Sequence, residues 1–279
     1  MIKKLLAFSF LLFLFLGCTK KTDVQIPAYI QIDNYFTKVA SDSSQGTNNQ
    51  KFTDMLVYAN GKTYGIYPLG AKIPVLTSAA TSFIIRGVIR VNGVDALRAD
   101  YEVMKGCDTT INVTPGQVTH VTPVFEYFAA AKFRWMADFE PASQVYGGFV
   151  SSYGAHPTLT ATKYTPGFGN YGTCLALKST ADSIASVQTK AAVILPTGGV
   201  GVYLELNYLA NTTLHILING TDGGSINPSA SWNKMYINLT EQVSSLQATN
   251  YTISFYSDYN PNVGANLTLI DNLKIVTAL

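Results

Sequence analysis

The sequence predicts an all-β protein built as two consecutive antiparallel β-sandwiches. Three observations carry this. Short runs of β-branched and aromatic residues recur from Pro27 onward, turn dipeptides separate them, and no amphipathic 3.6-residue pattern of useful length interrupts them. Composition agrees, with 17 Tyr, 14 Phe and 22 Gly in 279 residues. A chain that is 47% hydrophobic and 13% charged is not disordered.

Residues 1 to 17 read as a signal peptide: Lys3 and Lys4 open it, Leu5 to Leu16 form an apolar core, and Gly17 precedes Cys18. At about 1.5 Å per residue the apolar run spans about 18 Å, short of a hydrocarbon core of about 30 Å. The stretch Leu14-Phe15-Leu16-Gly17-Cys18 resembles the lipobox of bacterial lipoproteins. Phe15 and Leu16 depart from that pattern. The resemblance implies a diacylglycerol on Cys18, two or three acyl chains in all, and outer-membrane lipid as a partner; at about 0.8 kcal/mol per buried CH₂ that is a stable anchor. Thr19 after the cysteine resembles the outer-membrane-sorted class, with the face, periplasmic or external, left open. Residues 18 to 26 then form a lipidated polar tether.

The formal net charge is +2, from 19 Lys+Arg against 17 Asp+Glu, and it resides in Lys3 and Lys4. Without them the balance is even. Such a chain offers no electrostatic footprint for nucleic acid.

Residues 27 to 127 are expected to form a small immunoglobulin-like sandwich. Strands are predicted at Ala28 to Ile32, Phe52 to Ala59, Lys62 to Tyr67, Thr81 to Val91, Tyr101 to Met104, Asp108 to Val113 and Gln117 to Tyr127. Asn60-Gly61 is the strongest hairpin signal, because a two-residue turn of positive φ suits Asn and Gly. Asn92-Gly93 and Pro115-Gly116 mark further reversals. Ser41 to Gln50 is a polar loop.

Residues 128 to 132 read as a linker, and residues 133 to 279 as a jelly roll. Its predicted strands are Trp135 to Phe139, Ser186 to Ile194, Gly201 to Leu209, Thr213 to Ile218, Lys234 to Asn238, Tyr251 to Ser257 and Asn266 to Val276. Thr240 to Ala248 suits a helical turn or two with Thr240 as N-cap.

Asp138-Phe139-Glu140 and Leu269-Ile270-Asp271-Asn272-Leu273-Lys274-Ile275 together resemble the landmarks of the galactose-binding-like jelly roll, shared by many carbohydrate-binding modules. The resemblance implies a structural Ca²⁺ between first and last strands, with Glu140 and Asp271 as its carboxylates. Pro141 stands where that family has Gly. Asp54 to Gly61, with Gly65-Ile66-Tyr67 and Lys72 to Leu76, is similar to N-terminal immunoglobulin-like or prealbumin-like modules of bacterial lipoproteins, which implies architecture and no chemistry. Asp258 to Gly264 spaces Asp and Asn as a calcium loop does, but its glycine falls one position late and turn chemistry explains it.

Reactive arrangements are missing from the sequence. His120, His156 and His215 are scattered, without zinc-site spacing, and neither a nucleophile elbow nor a phosphate-cradling loop occurs. Asp138, Glu140 and Glu205 are the carboxylates a glycosidase could use, but the clustered pattern of sandwich-fold glucanases is lacking. Cys107 and Cys174 are a disulfide or two thiols, the latter favoured by their separate sandwiches. Asp108-Thr109-Thr110 and Asp182-Ser183-Ile184 resemble an O-glycosylation acceptor motif of exported bacterial proteins, which implies modification at Thr109 and Ser183.

A glycan site needs aromatic faces beside polar groups. Tyr164, Phe168 and Tyr171, in the Gly/Pro-rich stretch Ser152 to Gly172, and Trp232 form the nominated ligand-binding set. The expected protein is therefore non-enzymatic and binds carbohydrate or another surface ligand. The rival is an assembly subunit docking on a partner protein, and a weaker rival is an unrecognised glycosidase.

Overall fold

The computed structural model describes residues 25–42, 44–77, 79–139, 148–153, 158–162 and 172–278. The fold is all-β, and a single short helix interrupts the strands described.

The first half contributes β1 (Ala28–Gln31), β2 (Phe36–Lys38), β3 (Asp54–Ala59), β4 (Lys62–Pro68), β5 (Lys72–Val75) and β6 (Ala80–Arg90). It continues with β7 (Arg98–Asp100), β8 (Met104–Lys105), β9 (Cys107–Asn112), β10 (Val118–His120) and β11 (Val124–Tyr127). The long β6 lies between β3 and the pair β7 and β9 in an antiparallel sheet, with β4 outside β3. The β3–β4 hairpin turns at Asn60 and Gly61, with φ of 47° and 74°, as the dipeptide predicts. Two small sheets, β10-β1-β5 and β2-β11-β8, complete this half, and each contains one parallel pair, β1–β10 and β2–β11. Those pairings lie outside the antiparallel expectation, because they join segments nearly ninety residues apart.

The second half contributes β12 (Lys132–Ala137), β13 (Phe149–Tyr153), β14 (Thr158–Thr162), β15 (Gly172–Ser179), β16 (Ser186–Thr189) and β17 (Val202–Ala210). After these come β18 (Leu214–Ile218), β19 (Thr221–Ile226), β20 (Ser229–Asn238), α1 (Thr240–Leu246), β21 (Ile253–Ser257) and β22 (Asn266–Thr277). One sheet runs β14-β15-β22-β17-β20 with β12 on the far half of β22, and the other runs β13-β16-β21-β18-β19. Their facing sides close a core of Leu204, Leu206, Ile216, Ile237, Phe255, Ile270 and Ile275.

Strands β2, β5, β7, β13, β15 and β19 fall where the sequence predicts none, and three further local findings differ from the sequence reading. The stretch read as a loop from Ser152 to Gly172 contains β14, paired with β15 across Thr158 and Ala176. Strand β12 starts at Lys132, inside the expected linker, because its pairing with Thr277 extends the last strand's ladder. Thr240 is the first helical residue rather than the cap: its Oγ1 accepts the Val202 amide at 3.0 Å, and Asn238 Oδ1 accepts its own amide at 3.0 Å.

Strand β22 bulges at the Ile270-Asp271-Asn272 motif. Glu205 pairs with Lys274 but Asn207 with Asp271, so β22 carries one extra residue there, and Asn272 takes φ 51°. Asparagine is among the few side chains that tolerate this left-handed conformation, and a bulge re-aims its neighbours.

In the first half, Gly87 lies under the Phe52 ring, which packs edge-on against Phe125 at 5.3 Å. A Cβ at this position would lie 2.6 Å from the ring. Gly87→Ala is expected to destabilise the protein by about 1 to 3 kcal/mol through overpacking. Urea unfolding checks this, and an unchanged midpoint would show that the ring can swing clear.

Candidate functional site

Strand alternation dictates which side chains of β17, β20 and β22 leave the sandwich core. Tyr203, Glu205, Lys234, Tyr236, Lys274 and Val276 face outward, and in an isolated sandwich they would meet water. Here the N-terminal half covers them. Tyr203, Tyr236 and Val276 pack into its core, with Tyr101 edge-on to Tyr203 at 5.2 Å and to Tyr236 at 5.1 Å.

Glu205 lies at the centre of this interface with no solvent exposure. Its Oε1 accepts the Tyr101 and Tyr127 hydroxyls at 2.5 and 2.6 Å. Its Oε2 accepts Gln50 Nε2 at 3.1 Å and forms an ion pair with Lys234 Nζ at 2.7 Å. Gln50 also donates to the Tyr127 hydroxyl at 2.7 Å and accepts from Tyr236 at 2.8 Å. Lys274 Nζ donates to the Thr47 carbonyl at 2.7 Å and lies 5.4 Å over the Tyr127 ring.

Burial opposes the charge on Glu205, but Lys234 and Lys274, with hydrogen bonds from Lys234 and Tyr101, outweigh it and bring its pKa down to about 2. Burial, reinforced by Lys234 and only partly offset by Glu205, lowers Lys274 to about 7. Tyr101, Tyr127 and Tyr236 are pushed well above the ordinary phenol range, first by burial and then by the Glu205 charge. A sealed carboxylate that two tyrosines and a lysine already saturate cannot meet a sugar. Glu205 is a structural anion, which removes it from the glycosidase candidates.

The other nominated residues fare differently. Cys18, Glu140, Tyr164, Phe168 and Tyr171 lie outside the described residues. Trp232 is only 4% exposed, so the ring expected to stack on ligand is buried. Asp271 is 2% exposed, and its oxygens accept the Asn272 amide at 2.7 Å and side chain at 3.0 Å. Among the described residues no group of three or more His, Cys, Asp or Glu could hold a metal. The Asp258 to Gly264 segment is a turn fastened by Asn260 and Asn266 side chains. His215 stacks on Tyr256 at 4.5 Å and bonds Asp258 at 2.9 Å. Cys107 and Cys174 are unbridged and belong to different sandwiches. Thr109 is half-buried within β9, whereas Ser183 occupies the tight turn after β15.

Beside a small hollow of about 130 Å³ at Gly46, Asp138 and Asn272, the described residues form two larger concavities. The first, about 230 Å³, opens where the halves meet, between the β6–β7 turn (Arg90, Asn92, Gly93, Asp95) and the β19–β20 turn (Ser225 to Ser229). Lys51 enters it held by Asn233 Oδ1 at 2.7 Å, and Arg90 Nη1 reaches Asp95 at 2.5 Å. The second, about 570 Å³, is an open groove at the end of the C-terminal sandwich, lined by Lys178 to Ala181, Tyr259 and Val263 to Leu267. Tyr259 is 38% exposed there, and the bonds between Asn260 and Asn266 fix its turn. The sequence reading treated that turn as connection alone and missed the ring on it. Lys51 and Arg90 were missed because only packing of the two halves brings them together.

No protein-family model matches the chain, and no curated protein matches it. Similar solved structures include a family 11 carbohydrate-binding module from Clostridium thermocellum in complex with a β-1,3-1,4-mixed-linked tetrasaccharide, at 16% identity and TM-score 0.33, covering 50% of this chain and 94% of that one. A family 29 carbohydrate-binding module is 17% identical at TM-score 0.32, covering 53% and 88%. The CBM36-1 domain of a xylanase from the hindgut metagenome of Trinervitermes trinervoides is 15% identical at TM-score 0.30, covering 46% and 94%. The functional reading rests on the two concavities.

The interface makes a stability prediction with a definite sign. Glu205 binds fewer protons folded than unfolded between its native value of about 2 and the ordinary 4.5, so it adds stability as pH rises through that range. Lys274 does the same between about 7 and the ordinary 10.5, because its buried charge is disfavoured until it loses its proton. Urea unfolding should show stability falling from about pH 5 to 3 and rising from about pH 7 to 9. The alkaline rise should flatten in Lys274→Met. Glu205→Ala should cost about 3 to 5 kcal/mol, since it strands a buried lysine.

Proposed function

We propose that the protein is a non-enzymatic, lipid-anchored outer-membrane protein that binds carbohydrate through its C-terminal sandwich, at the groove carrying Tyr259. The observation that carries this reading is an exposed aromatic ring on a fastened turn at the end of the sandwich. A sugar ring lays its apolar face on such a side chain, and Lys178 and Thr180, which line the same groove, offer donors to its hydroxyls. Val263 and Leu267 add apolar surface to the groove.

The rival, an assembly subunit docking on another protein, is supported by Phe36 and Val124, which are 61% and 36% exposed and are register neighbours across β2 and β11. Against it, the outer face of the sheet at β17, β20 and the end of β22 is already occupied by the chain's own N-terminal half.

A glycan array probed with the chain beginning at Thr19 is expected to show binding. Tyr259→Ala should weaken it about tenfold, the loss of about 1 to 2 kcal/mol typical of a truncated contact residue. Tyr164→Ala tests the nominated loop in the same assay. A blank array sets carbohydrate aside in favour of the docking role.

Anchoring has its own check. Cells fed a labelled fatty acid should incorporate it into the native chain and not into Cys18→Ala, which should leave the membrane fraction. Label retained by the variant would place the acyl chain elsewhere or remove the anchor from the reading.

A further inference from the structure

We propose that the cleft between the two halves is a second, separate ligand site that takes an oxyanion, a carboxylate, sulfate or phosphate, carried on a small hydroxyl-rich molecule. The cleft's charge is the first argument. Its rim brings Lys51 and Arg90 together with one acid, Asp95, while the charge of Lys234 in its floor is matched by Glu205. The rim therefore carries one cation more than it has anions. Asp95 lies out at the mouth, its side chain 80% exposed, so the interior faces a ligand with positive charge.

Unused donors are the second argument. Arg90 commits Nη1 to Asp95, but its Nε is buried without a hydrogen-bond partner. A buried donor left unpaired carries a desolvation cost, which an oxyanion accepting from that edge of the guanidinium would recover. Asn92 uses its Oδ1 to accept the Asn238 amide at 2.8 Å, which orients its amide nitrogen as the remaining polar group. Burial first, then the nearby Arg90 cation, lowers the Lys51 pKa, a strain that a bound anion would relieve.

Rigidity is the third argument. The side of the cleft that carries the cations is not a free loop: Val91 bridges to Tyr236, the Asn92 amide donates to the Tyr236 carbonyl at 2.9 Å, and the Lys51 amide donates to the Tyr236 hydroxyl at 2.7 Å. The cations are held in place before any ligand arrives, which limits the ordering cost of binding. At about 230 Å³ the cleft admits one sugar-sized group rather than a chain.

The test is titration calorimetry on the full chain in detergent, with galacturonate, galactose and inorganic phosphate as probes. Galacturonate or phosphate should bind and galactose should bind at least about tenfold more weakly, with affinity falling as salt rises. Galacturonate tighter than phosphate identifies an acidic sugar as the source of the oxyanion, and the reverse order identifies free phosphate. Lys51→Gln and Arg90→Gln should each weaken the anion about tenfold, Lys51→Arg should largely restore it, and Asp95→Asn, at an exposed side chain that leaves folding intact, should tighten it. Anion binding that none of the four variants changes, or no binding of either anion, overturns the site. Because Tyr259 lies in the other groove, Tyr259→Ala should leave these affinities alone.

Discussion

The arrangement of the two halves depends on one buried carboxylate. Glu205 has no contact with water, and a lone ionised group there would cost several kcal/mol after relaxation. Its charge persists because the lysine comes from its own sheet while the tyrosine hydroxyls and the Gln50 amide come from the opposite half. Satisfying it therefore requires both halves in a single relative placement. An apolar interface of the same size would tolerate sliding; a carboxylate with four distance-limited partners does not. Aromatic pairs around it, Tyr101 against Tyr203 and Tyr236, add about 0.5 to 1.5 kcal/mol each and exclude water.

The same placement builds the inter-half cleft. Tyr236 joins the two: its hydroxyl donates to Gln50, which contacts Glu205, and accepts the Lys51 amide, which sets Lys51 at the cleft mouth. On its other side, the backbone of Tyr236 pairs with the β6–β7 turn that carries Arg90 and Asp95. Loss of the carboxylate would thus loosen the cleft and leave Lys234 in its floor unpaired, whereas the Tyr259 groove, made from β15, the turn after it, β22 and the turn before that, would keep its shape.

Local rules made much of the fold legible. Asn60-Gly61 specifies its own backbone conformation, and the hairpin follows. Alternation along β17 separates Leu204 and Leu206 from Tyr203, Glu205 and Asn207. What it could not reveal is that the polar set is buried as well, Glu205 and Asn207 without exposure, since a period of two distinguishes faces and not what covers them. Trp232 was misjudged for the same reason: a tryptophan after a polar turn can be an exposed platform or a seal, and only long-range packing decides. Strand β14 escaped notice because its Thr-Leu-Thr-Ala-Thr is short and lies in Gly- and Pro-rich surroundings, so its strand character derives from β15. The parallel pairs of the first half are likewise set by distant partners.

Charge gives the final step. Outside Lys3 and Lys4 the chain balances its basic and acidic residues, and such neutrality excludes a polyanion surface. It does not exclude a local field. Around the interface, Lys51, Arg90, Lys234 and Lys274 gather where Glu205 and Asp95 are the acids beside them. Burial of Lys274 lets it shed part of that excess, but Lys51 at the rim, less deeply buried, cannot do so to the same degree. Positive potential therefore concentrates where the interface opens to solvent, and a neutral protein acquires one place suited to a small anion and too narrow for a polymer of them.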